Sequence, residues 1–414
     1  MSQKTFIDLF AGAGGLSEGF VRKGFIPIAH IEKDKNACLT LKTRTAYHYL
    51  RNKGNLEVYK SYLKSEITRE EFYKSVPEDI LNTVMDMEIS RSNIKIIFKN
   101  IRDNLHSAGY EKIDIIIGGP PCQAYSLVGR ARDPYRKEHD PRNYLYKLYA
   151  KFLKEFKPDL FVFENVPGIL SAGKGKLFDD VKKYMDDAGY IFDEPKTLDS
   201  SCFGVLQKRK RVILMGWKKK LKCRYPEFED KSNGYSVRDA LMDLPPLQPG
   251  DSIVYGDYIA PPGDYLKKYG IRKGDDNLTL HITRPHNERD LKIYRMAIEM
   301  WRKEKRRLKY TDIPEKYRTH RNTRSFLDRY KVVADDLPHS HTVVAHISKD
   351  GHYYIHPDIK QVRSLSVREA ARLQSFPDDY YFEGHRTSKF MQVGNAVPPL
   401  MPEKITEKIE VMVK

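Results

Sequence analysis

The first 217 residues alternate between short apolar runs and longer amphipathic stretches, and this alternation constrains the fold more than any other feature of the chain. Helix-length segments separate most of the strand-like runs, which are TFIDLF, FIPIAHI, NIKIIF, IDIIIGG, DLFVFEN and RVILMGW. Such alternation is typical of a doubly wound, mostly parallel sheet with helices on both faces. We therefore predict an α/β fold, with residues 45–93 forming a helical insertion between the second and third strands.

The pattern ends near Lys218, and from there to about Lys360 prolines and basic residues are frequent while strand signals are short and irregular. This change indicates a second, smaller domain. Order returns with SLSVREAARLQSFP, which predicts a helix capped by Ser366 with Glu369 three residues later.

The formal net charge of +17 suggests a polyanionic partner, nucleic acid first, although a solvated basic surface is the alternative. No apolar stretch approaches the roughly 20 residues of a membrane helix, and the start lacks a signal peptide's pattern. The four cysteines are widely spaced without a C-x-x-C pair, which argues against disulfides and cysteine-based zinc sites. These features fit a cytoplasmic protein.

Five histidines lie between His339 and His356, in HSHTVVAHISKDGHYYIH. Their spacing fits no closed zinc template and no cysteine accompanies them, so we predict no metal site. A β-hairpin turning at KDGHYY is the preferred interpretation.

The segment DLFAGAGGLSEGF joins a strand to a helix through a glycine-rich turn that allows a ligand to approach the backbone closely. It departs from the dinucleotide fingerprint, because the third glycine after Gly12 and Gly14 is replaced by Ser17. Glu32 ends the next strand, 20 residues after Gly12, where a carboxylate can accept hydrogen bonds from both hydroxyls of a ribose. Together these residues indicate a cofactor that contains adenosine.

The run IIIGGPPCQAYS places Cys122 just beyond a buried strand, on a turn stiffened by Pro120 and Pro121. A small buried hydrophobe is the commoner role of a free cysteine. The position is nevertheless the one where open α/β sheets keep their sites.

Two further strand ends carry charged side chains. Glu164 in FENVPG closes the strand DLFVFEN, and a surface or capping role is its simplest interpretation when it is taken alone. In QKRKR, Arg209 and Arg211 lie on the same side of the strand that follows, so they could bind an anion together.

The ordered motifs DLFAGAGG, GGPPCQAYS, FENV, QKRKR, REAARLQSFP and QVGNAVPP resemble those of the cytosine-5 DNA methyltransferases, in family order over nearly the whole chain. The resemblance implies a catalytic, cofactor-binding domain formed by residues 1–218 and 386–414. It also implies a small domain, residues 219–385, with a target-recognition region at about 235–345. The compact length suggests the prokaryotic restriction-modification type.

The resemblance also implies catalytic roles. Cys122 would add to C6 of a flipped-out cytosine, and Glu164 would hold the N3 edge of the base. Arg209 would contact the base carbonyl while Arg211 orders the site. Asn165 would support the loop that holds Cys122.

By the same resemblance the cofactor is S-adenosylmethionine, which leaves as S-adenosylhomocysteine. Its implied contacts come from the glycine turn, the next strand, the third strand's end, the proline turn and two later motifs: Phe10, Ala11, Gly12, Gly14, Gly15, Glu32, Asn100, Ile101, Pro121, Leu145 and Asn395. Asn100 stands where the family usually has an aspartate, with Asp103 as an alternative. Lys33 replaces an aromatic residue often found beside the ribose-binding glutamate.

The glycine-containing, basic stretch after Cys122 resembles a loop that closes on DNA, and it implies DNA contacts by Gln123, Ser126, Arg130 and Arg132. The partner expected is double-stranded DNA, with a monomeric enzyme that is paired functionally with a restriction endonuclease without a stable complex. Three alternatives remain: methylation of an exocyclic amino group, a transfer-RNA substrate, and a non-catalytic DNA-binding protein on the same fold. The first is disfavoured by the sulfur in GGPPC, and the second by the absence of a Cys-Phe-Thr signature.

Overall fold

A computed structural model describes residues 3–121, 144–229, 234–319 and 327–413. The chain divides into two compact units. The first consists of Met1–Phe203, Lys210–Lys231 and Val397–Lys414, and the second consists of Gly204–Arg209 and Ser232–Ala396. The domain boundaries expected from the sequence, 218/219 and 385/386, fall at other positions and stay predictions.

An eight-stranded sheet forms the centre of the first unit, with strand order β3-β2-β1-β4-β5-β8-β6 and β7 paired to β8. Its strands are β1 (Thr5–Leu9), β2 (Ile26–Glu32), β3 (Val84–Asp86), β4 (Ile115–Gly118), β5 (Leu160–Asn165), β6 (Tyr190–Phe192), β7 (Lys196–Asp199) and β8 (Lys210–Lys218). The neighbours from β3 to β5 pair in parallel, whereas β8 pairs antiparallel with β5, β6 and β7. The predicted α/β class with a mostly parallel sheet is confirmed.

The α-helices of the described residues connect and cover these strands. In chain order they are α1 (Gly15–Arg22), α2 (Lys35–Asn52), α3 (Glu57–Leu63), α4 (Arg69–Lys74), α5 (Glu78–Leu81), α6 (Ile94–Ser107), α7 (Leu145–Phe156), α8 (Gly168–Ser171), α9 (Lys176–Asp186), α10 (Asp264–Lys268), α11 (Glu288–Glu304), α12 (Val367–Leu373), α13 (Arg386–Asn395) and α14 (Leu400–Met412). None of them is long and apolar enough to cross a membrane.

Alternate residues of each central strand point to opposite faces of the sheet, and each face has its own core. Ile7 and Ile116 pack on one face, in a core that includes side chains of α6, α7 and α9. Phe6 and Ile117 pack on the other face, in a core that includes side chains of α1 and α14. The fold is therefore three-layered, with helices on both sides of the sheet.

The predicted third strand is wrong. NIKIIF begins α6, where Ile94, Ile97 and Ile101 are buried at helical spacing on one face. The third strand is instead β3, inside the stretch that we predicted to be a helical insertion. A strand of three residues is too short to show a period in the sequence.

The second unit carries a two-stranded antiparallel sheet of β9 (Ser252–Gly256) and β10 (Leu278–Ile282), together with α10 to α13. The predicted cap of α12 is confirmed, because Ser366 and Glu369 form a capping box. The predicted histidine hairpin is wrong, since the segment contains the 3-10 helix Ala345–Ser348 followed by turns.

Candidate active site

The carboxyl ends of the parallel strands meet at one edge of the first unit's sheet. β1, β4 and β5 end there, and β8 begins there because it runs antiparallel to β5, with Asn165 opposite Val212. The glycine turn, the proline turn, Glu164 and Arg211 consequently share this edge, where doubly wound folds bind their ligands.

The glycine turn leaves β1 with a series of left-handed residues. Phe10, Gly12 and Gly14 have φ angles of 59°, 55° and 80°. A Cβ built on Gly12 would meet no heavy atom within 4 Å, so open space lies beside this backbone. Ala11 donates its N–H to the carbonyl of Ile31 at 3.1 Å, which ties the turn to the end of β2. Gly15 then begins α1.

The Glu32 carboxylate is held in place by three backbone N–H groups. Oε2 accepts from Gly12 at 2.8 Å, and Oε1 accepts from Lys33 and Asp34 at 2.8 Å each. Oε2 retains a second lone pair for a ligand hydroxyl, whereas the two N–H groups occupy both lone pairs of Oε1. A half-buried fixed carboxylate beside an open glycine backbone fits a bound ribose, so these residues suit an adenosine cofactor.

The structure places another acidic residue beside Glu32. Asp86 ends β3 in register with Glu32, and Met87 donates its N–H to the Glu32 carbonyl at 2.8 Å. Asn100 instead lies in the middle of α6, and Ile101 is fully buried in the core. Sequence reasoning missed Asp86, although the short run TVMD ending in an acidic residue is a signal that could have found it.

The proline turn after β4 is fixed to the end of β5. Asn165, which is 2% exposed, donates from Nδ2 to the carbonyl of Pro120 at 3.1 Å. Its Oδ1 accepts the N–H of Val166 at 2.9 Å. Asn165 therefore fixes the backbone of the proline turn at Pro120, whereas its support of the loop that holds Cys122 stays a prediction.

Glu164 and Arg211 form an ion pair at this edge, with Arg211 Nε 2.6 Å from Glu164 Oε1. The two side chains are only 14% and 13% exposed, so water screens their attraction less than it screens a surface pair. A Cβ on Gly119 would collide with Glu164, which shows how closely the proline turn approaches this carboxylate.

Arg209 belongs to the second unit and is 1% exposed. It donates to the carbonyl of Val343 at 2.7 Å and to those of Gly394 and Asn395 at 3.1 and 3.2 Å. These bonds join the chain before β8 to the carboxyl end of α13, where the Asn395 side chain is exposed.

Several predicted site residues lie outside the described residues: Cys122, Gln123, Ser126, Arg130 and Arg132. Leu145 is described; it begins α7 and packs against the first core. Across the described parts of the chain, no group of three or more histidine, cysteine, aspartate or glutamate side chains is arranged to hold a metal ion.

Comparison with known proteins identifies the family of the chain. The sequence profile of C-5 cytosine-specific DNA methylases matches residues 4–65 and 83–411. The Type II methyltransferase M.Bpa9945I of Bacillus paralicheniformis is 45% identical, over 98% of both chains. M.AgeI of Thalassovita gelatinovora, another Type II methyltransferase, is 30% identical over 98% of this chain and 99% of its own.

A prophage-encoded Escherichia coli protein, described as a candidate DNA modification methyltransferase, has the same fold. Its crystal structure superposes with a TM-score of 0.66 at 23% identity, over 99% of each chain. The profile match covers most of the chain and includes every strand that carries the candidate site. The chain therefore belongs to the C-5 cytosine-specific DNA methylase family.

Proposed function

We propose that this DNA (cytosine-5) methyltransferase transfers a methyl group from S-adenosylmethionine to C5 of a flipped-out cytosine within a specific duplex sequence. The observation that carries the proposal is the meeting of the Glu164–Arg211 pair with the Asn165-braced turn that leads directly into Cys122. A nucleophile, a base-holding carboxylate and a cation are the groups that this reaction requires.

The cofactor would be held by the glycine turn from Phe10 to Gly15 and by Glu32, with Pro121, Leu145 and Asn395 as further contacts implied by the family. When bound, it supplies an electrophilic methyl group. We assign the adenine edge to Asp86 and Met87, because Asp86 ends the strand beside Glu32. The burial of Ile101 argues against the earlier expectation for Asn100 and Ile101.

The Cys122 thiolate would add to C6 of the cytosine, which makes C5 nucleophilic towards the methyl group. Loss of the C5 proton then allows the C6–S bond to break, which regenerates the thiolate and the aromatic ring. Glu164 would hold the N3 edge of the base, and the charge of Arg211 beside it favours a thiolate over a thiol. The contacts of Arg209 favour a supporting role, so its contact with the base carbonyl stays a prediction.

We also propose the wider context that the resemblance implied. Gln123, Ser126, Arg130 and Arg132 would contact duplex DNA, and the enzyme would act as a monomer in a prokaryotic cytoplasm, associated with the nucleoid. The names of the Type II relatives support a role in protecting host DNA from a cognate restriction endonuclease, without a stable complex between the two enzymes.

Nucleoside mass spectrometry tests the reaction. Mixed-sequence duplex DNA and, separately, transfer RNA are incubated with the protein and S-adenosylmethionine. We expect 5-methylcytosine in DNA from the native protein and from Cys223→Ala, and none from Cys122→Ala. A Cys122→Ala protein that methylates at the native rate contradicts the covalent mechanism, whereas methylation of exocyclic nitrogen or of RNA alone contradicts the proposed product or substrate.

A further inference from the structure

Basic side chains gather at the amino edge of the first unit's sheet, the edge opposite the candidate active site. Lys112 precedes β4, and Lys157 precedes β5, two residues before Asp159. Lys218 ends β8, since Leu160 at the start of β5 pairs with Trp217. The six residues of β5 separate this edge from the Glu164 edge by roughly 16 Å, at about 3.3 Å per residue.

One carboxylate draws three of these lysines together. Asp159 lies 2.9 Å from Lys112 Nζ, 3.3 Å from Lys218 Nζ and 3.4 Å from Lys220 Nζ. Burial opposes the ionisation of Asp159, but Lys112 and Lys218 outweigh it and lower its pKa to about 2. Lys112 also lies 2.8 Å from Asp114 Oδ1, so two carboxylates face three lysines and the cluster keeps a net positive charge.

Two concavities extend the positive surface on either side of these lysines. One, of about 340 Å³, is lined by Lys154, Lys157 and Lys218 with the backbone at Gly189. The other, of about 620 Å³, is lined by Lys220, Lys222 and Lys408 among apolar side chains. Lys218 lines the first concavity and Lys220 lines the second, so both concavities adjoin the lysines around Asp159.

Most of the basic side chains on this surface have no carboxylate that neutralises their charge. Among the described residues, no carboxylate forms an ion pair with five of its exposed basic side chains, which are Lys154, Lys157, Lys219, Lys222 and Arg224. The sequence KKKLKCR, residues 218–224, contains five positive charges and no negative one. Uncompensated lysines suit phosphate contacts, which position a nucleic acid without reading its sequence. Protein interfaces, in contrast, are depleted in lysine.

We propose that this amino-edge basic face, comprising Lys112, Lys154, Lys157, Lys218–Lys220, Lys222 and Arg224, binds the phosphate backbone of a DNA segment separate from the target duplex. The face is a sequence-independent second anchor for long DNA. This proposal rests on the proposed function only because it takes duplex DNA as the polyanion that binds the face.

Binding of a long non-target duplex without cofactor, measured at several salt concentrations, tests the proposal. The variant carries Lys219→Gln, Lys222→Gln and Arg224→Gln. A matched control carries Lys53→Gln, Lys74→Gln and Lys95→Gln, which removes three exposed charges from other surfaces of the same unit. Each lost phosphate contact should lower the slope of log K against log salt by about 0.9.

We expect the variant to bind the long duplex about tenfold or more weakly at 0.1 M salt, which corresponds to losing at least one phosphate contact. The control should bind as the native protein does, and both should methylate a short target duplex at the native rate. Equal losses in variant and control, or no loss in either, would overturn the proposal. A matching loss on the short duplex would also overturn it, because the residues would then serve the target duplex. The binding assay needs no methyl transfer, so its outcome is independent of whether the proposed reaction is correct.

Discussion

Glu32 shows at the residue scale how the backbone prepares a polar side chain for a ligand. Three N–H groups fix the orientation of its carboxylate. The Glu32 side chain therefore loses its conformational entropy when the chain folds, and not when the ligand binds. The neighbouring Lys33, which stands where the family often has an aromatic residue, instead forms an exposed ion pair with Glu88 at 3.0 Å.

We expect Glu32→Gln to weaken S-adenosylhomocysteine binding by about ten- to a hundredfold. The substitution turns one acceptor into a donor that would face a backbone N–H, and hydrogen bonds to charged groups contribute about 1.5–3 kcal/mol. Isothermal titration calorimetry measures the effect. Glu88→Gln is the control and should change affinity by less than about threefold, because exposed ion pairs contribute little. Native affinity in Glu32→Gln would exclude Glu32 from the cofactor site.

At the scale of elements, α1 and α14 approach each other unusually closely on one face of the sheet. A Cβ on Gly19 would lie 2.7 Å from the carbonyl carbon of Pro402 and 2.8 Å from its Cβ. The atoms that a Cβ on Gly19 would meet include backbone atoms of α14, which cannot turn aside as a side chain can. The two helices would therefore have to separate to admit even a methyl group. Only glycine permits this spacing.

Gly19→Ala should therefore lower the free energy of unfolding by about 1–3 kcal/mol through overpacking. Gly263→Ala offers a matched comparison, since a Cβ there meets nothing within 4 Å. Its effect should stay within about 1 kcal/mol, because the added methyl group meets open space and the substitution only weakens the N-cap of the five-residue helix α10. Urea denaturation of both variants gives the comparison, and equal stabilities would show that α1 and α14 can separate freely.

Elements differed in how well the sequence predicted them, for physical reasons. The central strands β4 and β5 are buried on both faces, and their continuous apolar runs predict them directly. The start of α6 resembles a strand because IKIIF contains three isoleucines and a phenylalanine, whereas its burial follows helical spacing. Arg209 and Arg211 share a motif and a side of the chain, yet their partners lie in different units, which no local pattern reveals.

At the scale of the whole molecule, three histidines of the second unit, one buried and two half-buried, are uncharged in the folded chain at neutral pH. Burial lowers the pKa of His286, His341 and His356 to about 4 in each case. The unfolded chain, in which histidine has a pKa of about 6.5, binds more protons than the folded chain between pH 6.5 and 4. Stability must therefore fall as the pH is lowered through that window.

We expect the melting temperature to drop steadily between about pH 6.5 and pH 4, with each of these histidines contributing up to about 3 kcal/mol at the acid end. Thermal unfolding in a pH series checks this. His341→Gln should flatten the dependence, whereas His106→Gln, at an exposed position, should leave it unchanged. A pH dependence unaltered by His341→Gln would contradict the contribution of that residue.

The short segment Gly204–Arg209 has a consequence for anyone who builds chimaeras of such enzymes. Gln207 donates to the side chain of Gln374 at 2.8 Å, and Lys208 donates its N–H to the carbonyl of Ser340 at 3.0 Å. In the sequence, residues 210–231, which include β8, separate this segment from the rest of its unit. The segment would therefore remain behind if residues 232–396 were transplanted alone. A graft of residues 232–396 must bring its own Gly204–Arg209 segment, or the recipient's segment must match the grafted interior.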